Sequence, residues 1–283
     1  MSSHRPLPPK RPHRVRRRFG QHFLHDPRIL ARIVEAIRPA PDDFIVEIGP
    51  GEGALTMPLL AEIKKIHVIE LDRDLASRLS DERIVVHQAD ALDFDFGQFP
   101  AGMRLVGNLP YNISTPLLFH LARYADRVRD MHFMLQLEVV ERMVAAHSTH
   151  AYGRLSVALQ TRFRMQKLFH VSKGAFRPPP KVESAVVRME PLANPPALEG
   201  TRFDDLLRGA FSSRRKQLRN ALPLAAADFA KLGIDPSARP ENLSPADYVR
   251  IAQYLGPGEP RQPSEKSSAD ARSTAAFLLV RPY

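Results

Sequence analysis

The chain of 283 residues contains neither cysteine nor tryptophan. The absence of cysteine excludes disulfides, zinc bound by cysteine, iron–sulfur clusters and thiol nucleophiles. The sequence also lacks apolar runs of about 18 residues, a secretory signal and the histidine spacing typical of metal sites. We therefore expect a cytoplasmic protein that binds no metal and no membrane. Its length and its hydrophobic share of 43% suit a globular chain with one large and one small domain.

Positive charge is concentrated at the N-terminus. The net charge is +10, and residues 1–18 supply seven basic side chains and no acid, so the rest of the chain carries only +3. A basic excess indicates a polyanionic partner, and the prolines among residues 6–12 disfavour a helical targeting segment. We expect residues 1–17 to form a disordered basic arm that contacts nucleic acid, with a merely solvated tail as the alternative. The seven bases are Arg5, Lys10, Arg11, Arg14, Arg16, Arg17 and Arg18.

Short apolar runs alternate with helical patterns over most of the chain, which is typical of a parallel sheet with helical crossovers. Asp26 and Pro27 predict the N-cap and the first residue of the first helix. A proline-rich linker follows the last predicted strand, and only short helical patterns come after it. The sequence thus predicts an α/β domain, a small all-helical domain and a disordered tail, at residues 18–190, 198–255 and 256–283. The predicted strands are 44–48, 67–71, 84–87, 105–106, 132–137, 166–171 and 184–189.

Three polar features follow successive predicted strands, and each could bind part of an adenosine. Gly49, Gly51 and Gly53 form a G-x-G-x-G turn between a strand and a helix, where the backbone can approach a ligand. Glu70 could accept from both ribose hydroxyls, and Asp90 could accept from an adenine amine. Each feature alone also fits an ordinary turn, a solvated acid or a helix cap. Together they share one crevice and favour S-adenosylmethionine over NAD, because the last glycine of G-x-G-x-x-G is missing.

The segment Asn108-Leu109-Pro110-Tyr111 follows the fourth strand and suits methyl transfer to an exocyclic amine. Such an amine is a poor nucleophile because its lone pair is delocalised into the ring. The Asn108 side-chain oxygen and a nearby backbone carbonyl can accept from the amine, hold it and expose its lone pair. Pro110 fixes the turn, and Tyr111 offers a face for a flipped base. The competing interpretation is a β-turn beside a core tyrosine.

These motifs, in this order, resemble those of the ribosomal RNA adenine N6,N6-dimethyltransferases, and within them the enzymes of the small subunit. The resemblance covers most of residues 18–255. The matching segments are RFGQHFLHD (18–26), VEIGPGEGALT (46–56), VIELDRDLASRL (68–79), QADALDFDF (88–96), GNLPYNISTPLLFHL (107–121), FMLQLEVVERM (133–143), YGRLSVALQ (152–160), FRPPPKVESAVVRM (176–189) and FSSRRKQLRNAL (211–222).

The resemblance implies a class I S-adenosylmethionine-dependent methyltransferase. Its fold would be a Rossmann-like, mostly parallel seven-stranded sheet with a small C-terminal all-helical domain. The implied reaction is dimethylation of two adjacent adenosines in the 3′-terminal hairpin loop of 16S rRNA, on the assembling small subunit. The implied partner is therefore 16S rRNA, and we expect the enzyme to act as a monomer.

The resemblance also implies roles for individual residues. A histidine at position 22 departs from the asparagine that the family usually has there, so the role of His22 is the least certain. The expected cofactor-binding residues are His22, Leu24, Gly49, Gly51, Glu70, Asp90 and Asn108. The expected catalytic residues are Asn108, Leu109, Pro110 and Tyr111, and the expected substrate-binding residues are Tyr111, Phe176, Arg214, Arg215, Lys216 and Arg219.

Three other functions compete with this interpretation. A macrolide-resistance-type 23S rRNA adenine dimethyltransferase is disfavoured by Leu109, where that group tends to have isoleucine, and by the RRK-x-L-R-N segment at 214–220. A non-catalytic assembly factor would need neither Asn108 nor Tyr111 merely to hold RNA. An NAD-dependent oxidoreductase is disfavoured by the glycine spacing.

Overall fold

The computed structural model describes residues 22–212 and 214–257. The arm predicted at residues 1–17, and all but the first two residues of the predicted tail, lie outside this part of the chain. Within it, a seven-stranded sheet is flanked by helices on both faces, and a group of helices follows it in sequence. The predicted α/β architecture is confirmed.

The main sheet has the strand order β4-β3-β2-β5-β6-β9-β7. The five strands from β4 to β6 in this order run parallel to one another. Strand β9 is antiparallel to both β6 and β7. The central strands are apolar runs because both of their faces are covered. The strands are β2 (Ile45–Ile48), β3 (Ile66–Glu70), β4 (Ile84–Gln88), β5 (Met103–Asn108), β6 (Val128–Gln136), β7 (Phe163–Val171) and β9 (Ser184–Pro191).

Two further strands form a separate antiparallel pair that the sequence did not predict. These are β1 (Phe23–Leu24) and β8 (Phe176–Arg177), in which Phe23 pairs with Arg177 and Leu24 pairs with Phe176. We call this pair the β1–β8 ribbon. It brings the start of the described chain to the segment that precedes β9.

The first of the ten helices in the described part of the chain starts where the sequence predicts it. The Asp26 side chain caps α1 by accepting from the backbone N–H of Arg28, and Pro27 is the first helical residue, as predicted. The helices are α1 (Pro27–Ile37), α2 (Thr56–Leu60), α3 (Arg73–Ala76), α4 (Ser114–Leu121), α5 (Leu137–Val144), α6 (Arg154–Gln160), α7 (Phe203–Ser212), α8 (Leu218–Ala221), α9 (Ala226–Leu232) and α10 (Pro245–Leu255).

Apolar side chains form a core on each face of the sheet. Because successive strand residues point to opposite faces, Leu105 packs toward α4 and α5 while Val106 packs toward α1 and α2. A third core joins the C-terminal helices, and α6 contributes Val157 to it opposite Phe203 and Tyr248. The C-terminal helices therefore share a core with a helix of the α/β region.

A buried ion-pair network fastens α1 to the sheet. The Arg104 guanidinium on β5 binds both carboxylate oxygens of Asp130 at 2.9 and 2.8 Å, and it binds Asp43 at 2.7 Å. It also donates to the backbone carbonyls of Ile37 and Arg38, at the end of α1. Removing one partner of such a buried pair typically costs about 3–5 kcal/mol. The network thus fixes the end of α1 against β5 and β6.

Candidate active site

A cavity of about 340 Å³ lies at the carboxyl ends of the parallel strands, the usual place for a ligand in an open α/β sheet. It is lined by residues from the glycine turn, from the ends of β3 and β5, and from the β1–β8 ribbon. Every predicted cofactor-binding and catalytic residue is among them. These residues are His22, Leu24, Gly49, Gly51, Glu70, Asp90, Asn108, Leu109, Pro110 and Tyr111.

The glycine turn lies directly against the β1–β8 ribbon. Gly51 has a φ of +58°, and a Cβ there would lie 3.0 Å from the ring of Phe23. The position therefore requires glycine both for its backbone conformation and for the close approach of the ring. The turn is tied to β3 because the N–H of Gly49 donates to the carbonyl of Ile69 at 2.9 Å.

Glu70 ends β3 as a nearly buried carboxylate, 7% exposed. One carboxylate oxygen accepts from the N–H of Gly51 at 3.2 Å and the other from the N–H of Asp72 at 2.9 Å. Burial raises the pKa of Glu70, and these two backbone N–H groups oppose the rise. Each oxygen has a second lone pair, so the fixed carboxylate can still accept from a pair of ligand hydroxyls. These acceptor oxygens fit the ribose hydroxyls of an adenosine-type cofactor.

Glu47 is a second carboxylate at this site, and the sequence analysis gave it no role. It lies on β2 beneath the glycine turn, is 2% exposed, and accepts from the Thr56 hydroxyl at 2.6 Å. Burial raises its pKa to about 7, with a smaller contribution from the neighbouring Glu70 carboxylate. Its one sequence signal is a carboxylate inside an otherwise apolar strand.

Asp90 lines the cavity beyond β4. One of its carboxylate oxygens accepts from the backbone N–H of Leu92 at 2.9 Å, so the side chain also stabilises a turn. The two interpretations considered for Asp90, a turn cap and a ligand contact, are therefore compatible. The backbone bond orients a carboxylate that remains on the cavity wall.

Asn108 joins the end of β5 to the β1–β8 ribbon. Its side-chain amide donates to the backbone carbonyl of His22 at 2.9 Å. Because this bond uses the NH₂ group, the side-chain oxygen of Asn108 is left as the acceptor on the other arm of the amide. The preceding residue, Gly107, lies so close to β2 that a Cβ there would be 2.4 Å from the carbonyl oxygen of Ile48.

Tyr111 is held at both its hydroxyl and its ring. The hydroxyl shares a hydrogen bond of 2.6 Å with Ser184, and the ring stacks on His22 with the centroids 5.5 Å apart. Burial raises the pKa of Tyr111, so the hydroxyl is protonated at neutral pH. His22 Nδ1 lies 2.8 Å from the carbonyl oxygen of Pro178 and must carry the proton there, since a carbonyl only accepts. His22 thus contacts two segments of the site, residues 108–111 and the connection that follows β8.

Phe176, predicted to stack on the substrate, does not line the cavity in this structure. It is 2% exposed and packs with Leu24 in the core that faces α1 and α2. Side chains alternate along a strand, so Phe176 faces this core together with Leu24, which also borders the cavity, while Phe23 and Arg177 face the cavity. The base-stacking role of Phe176 stays a prediction.

The predicted phosphate-binding residues lie outside the cavity, around the connection from α7 to α8. Arg214 is half-buried, pairs with Glu241 at 2.6 Å and donates to the carbonyl of His150, so its charge is already matched. The other three, Arg215, Lys216 and Arg219, are exposed. Arg214 therefore helps to hold the helical region together, and only the other three present open cationic groups.

Metal-binding clusters and membrane-spanning helices are both absent from residues 22–212 and 214–257. None of these residues forms a cluster of three or more histidine, cysteine, aspartate or glutamate side chains that could hold a metal. No helix in this part of the chain combines the length and the apolar character needed to cross a bilayer.

Comparison with known proteins identifies the family. The family model of the ribosomal RNA adenine dimethylases matches residues 12–256. The chain belongs to this family. The resemblance inferred from the sequence motifs is therefore confirmed, and the chain is a methyltransferase of the ribosomal RNA adenine dimethylase family.

Curated relatives within the family cover almost the whole described chain. The Ribosomal RNA small subunit methyltransferase A of Aromatoleum aromaticum is 56% identical over an alignment of 260 residues, which covers 88% of this chain and 97% of that protein. The protein of the same name from Nitrosospira multiformis is 56% identical over 251 residues, covering 86% and 97% of the two chains.

Solved structures of dimethylases have the same fold. A dimethyladenosine transferase from Plasmodium falciparum superposes with a TM-score of 0.71 at 27% identity, over 82% of this chain and 97% of its own. The 23S rRNA methyltransferase ErmE superposes with a TM-score of 0.62 at 26% identity, over 82% and 99%. The predicted class I methyltransferase fold with C-terminal helices is confirmed.

Proposed function

We propose that this chain uses S-adenosylmethionine to dimethylate the exocyclic amines of two adjacent adenosines in the 3′-terminal hairpin loop of 16S rRNA, on the assembling small subunit. The observation that carries the proposal is the position of Asn108. Its side-chain oxygen is left as an acceptor in the same cavity that contains Glu70, Asp90 and the glycine turn. The names of the curated relatives, which refer to the small subunit, support this choice of substrate.

The cofactor half of the cavity has the groups that an adenosine-type ligand requires. Glu70 would accept from the ribose hydroxyls, Asp90 would accept from the adenine amine, and Gly49 and Gly51 would leave room for the methionine portion. When bound, S-adenosylmethionine supplies an electrophilic methyl group on a sulfonium centre. His22 and Leu24 line the same cavity from the ribbon side.

The substrate half positions the amine. The two N–H groups of the adenine amine would donate hydrogen bonds, one to the Asn108 side-chain oxygen and one to a backbone carbonyl of the 108–111 segment. This holds the nitrogen in line with the methyl group and favours the pyramidal geometry that frees its lone pair. Tyr111, fixed through Ser184 and His22, would support the base after it leaves the RNA stack. Leu109 and Pro110 set the turn between these two residues.

The exposed bases of the C-terminal helices would supply RNA affinity away from the reaction centre. Arg215, Lys216 and Arg219 are exposed and suited to phosphate contacts, which position an RNA without reading its sequence. We propose this role for residues 198–255 as a unit. We propose also that the arm at 1–17 adds further phosphate contacts.

Substrate choice between the two ribosomal subunits rests on the curated relatives. The small-subunit enzymes named above are 56% identical to this chain, against 26% for the 23S rRNA methyltransferase ErmE. Leu109 and the 214–220 segment favour the same choice. We propose also that the enzyme acts as a monomer. The small subunit as substrate places the proposed reaction in the cytoplasm.

The test is methyl transfer to purified ribosomal subunits. Unmethylated small subunits and, separately, large subunits are incubated with the protein and S-adenosylmethionine, and modified adenosines are mapped by primer extension. We expect two adjacent stops near the 3′ end of 16S rRNA and none in 23S rRNA. Modification of 23S rRNA instead would support the macrolide-resistance-type activity. Binding of small subunits without modification of either RNA would support a non-catalytic assembly factor.

A further inference from the structure

The cavity wall has an uneven distribution of charge. Its five carboxylates all lie on or beside the glycine turn and the ends of β3 and β4, in the cofactor half. Among the residues that the structure describes, Arg177 is the one lysine or arginine that lines this cavity. Neither the sequence motifs nor the catalytic scheme above gives Arg177 a role. The carboxylates are Glu47, Glu52, Glu70, Asp72 and Asp90.

The β1–β8 ribbon fixes the side of the chain on which Arg177 lies. Arg177 pairs with Phe23, and residues that pair across antiparallel strands project to the same face. Phe23 faces the glycine turn, as its contact with Gly51 shows. Arg177 therefore projects to the cavity side, whereas its neighbour Phe176 is buried on the opposite side. The guanidinium is exposed and forms no ion pair within the described part of the chain.

Contacts of the next residue place Arg177 beside the substrate half. The carbonyl of Pro178 bonds to the His22 ring at 2.8 Å, and that ring stacks on Tyr111. Asn108 donates to the carbonyl of the same histidine. Arg177 thus immediately precedes Pro178, whose carbonyl contacts His22. His22 in turn contacts Asn108 and Tyr111, the two residues proposed to hold the target base.

We propose that the Arg177 guanidinium binds a backbone phosphate of the target nucleotide and so positions the flipped adenosine over Tyr111. The inference rests on the proposed function, because it requires an RNA substrate at this cavity. A base that leaves the stack remains joined to its phosphates, and these must lie at the cavity mouth when the base is inside. Guanidinium groups bind phosphate through two parallel hydrogen bonds, which fix orientation as well as supplying charge.

The experiment compares four proteins: the wild type, Arg177→Gln, Arg177→Lys and Lys181→Gln. Lys181 is an exposed base on the same connection and does not line the cavity, which makes it the matched control. Equilibrium binding to unmethylated small subunits is measured at several salt concentrations. Single-turnover methyl transfer is measured separately as a function of subunit concentration, and thermal unfolding confirms that each variant is folded.

For Arg177→Gln we expect binding to weaken by at least about tenfold, as for the loss of a charged hydrogen bond. The slope of log affinity against log salt should flatten by about 0.7, which corresponds to one lost phosphate contact to single-stranded RNA. The maximal single-turnover rate should change less than the half-saturating subunit concentration. Arg177→Lys should keep the salt slope but lose part of the affinity, and Lys181→Gln should match the wild type.

Two results would overturn the assignment of Arg177. Unchanged binding and salt slope for Arg177→Gln would show that the guanidinium contacts no phosphate. A weaker affinity for S-adenosylhomocysteine with unchanged subunit binding would show that it serves the carboxylate of the cofactor instead. Failure of the proposed function would look different, since the wild type itself would then not methylate small subunits.

Discussion

Replacing Asn108 by alanine should abolish most methyl transfer while leaving the fold and the RNA affinity nearly intact. The NH₂ group and the oxygen of this side chain have separate roles. Its NH₂ group donates to the His22 carbonyl at 2.9 Å, and its oxygen is the acceptor that we propose for the target amine. The alanine variant loses both, so two separate effects are expected.

The magnitudes of these effects differ. Removing one oriented polar group that acts on the reacting atoms typically costs about 3–4 kcal/mol of barrier, or roughly 100- to 1,000-fold in rate. Losing the bond to the His22 carbonyl should lower the free energy of unfolding by only about 1 kcal/mol. RNA affinity should change little, because we expect phosphate contacts, and not contacts to the target amine, to supply most of it.

The assay is single-turnover transfer of a labelled methyl group to saturating small subunits, with urea unfolding and subunit binding measured in parallel. Asn112→Ala is the matched control, since Asn112 is exposed on the same cavity wall and makes no proposed contact to the amine. We expect the control to keep a rate within a few-fold of the wild type. A rate for Asn108→Ala within tenfold of the wild type would refute the catalytic role of the Asn108 oxygen.

Three further substitutions test the site and its support. Glu70→Ala should weaken binding of S-adenosylhomocysteine at least about tenfold in calorimetry without altering RNA binding, since two hydrogen bonds to a charged acceptor are lost; unchanged affinity would mean that the carboxylate binds no ribose. The pKa of Glu47 is about 7 when folded against an ordinary 4.5, so the unfolded chain binds fewer protons between these values and wild-type stability falls as the pH rises through them. Glu47→Gln should remove this pH dependence, which amounts to roughly 2 kcal/mol of unfolding free energy between pH 5 and pH 7.5 in urea unfolding, and equal pH slopes for the two proteins would contradict it. Gly107→Ala should lower the free energy of unfolding by about 1–3 kcal/mol because its methyl would lie 2.4 Å from the Ile48 carbonyl oxygen, whereas Gly209→Ala, with open space around it, should not destabilise.

The parts of the fold that the sequence predicts are those with strong local patterns. Alternating apolar runs predict all seven strands of the main sheet to within a few residues, and the Asp26-Pro27 pair predicts the start of α1. The features of the cofactor site are predicted for the same reason. Each follows directly after a strand, and the carboxyl ends of parallel strands meet at one edge.

The parts that sequence reasoning missed depend on contacts between distant segments. Strands of two residues have no periodicity, so nothing local predicts that Phe23 pairs with Arg177. The burial of Phe176 follows from that pairing. The ion pair that uses Arg214 is equally non-local, because its partner Glu241 belongs to a different segment of the helical region.

Two consecutive residues, His22 and Phe23, link the two halves of the cavity. His22 accepts from Asn108 and stacks on Tyr111, Phe23 lies against Gly51, and one peptide bond separates them. The contacts of His22 and of Phe23 must shift together, because the two residues are adjacent and Phe23 pairs with Arg177 on β8. By thermodynamic reciprocity, any factor by which a bound cofactor changes RNA affinity through this segment is also the factor by which RNA changes cofactor affinity. Each exchange of spent for fresh cofactor between successive methylations would therefore act on the same segment that contacts Asn108 and Tyr111, the residues proposed to hold the target base.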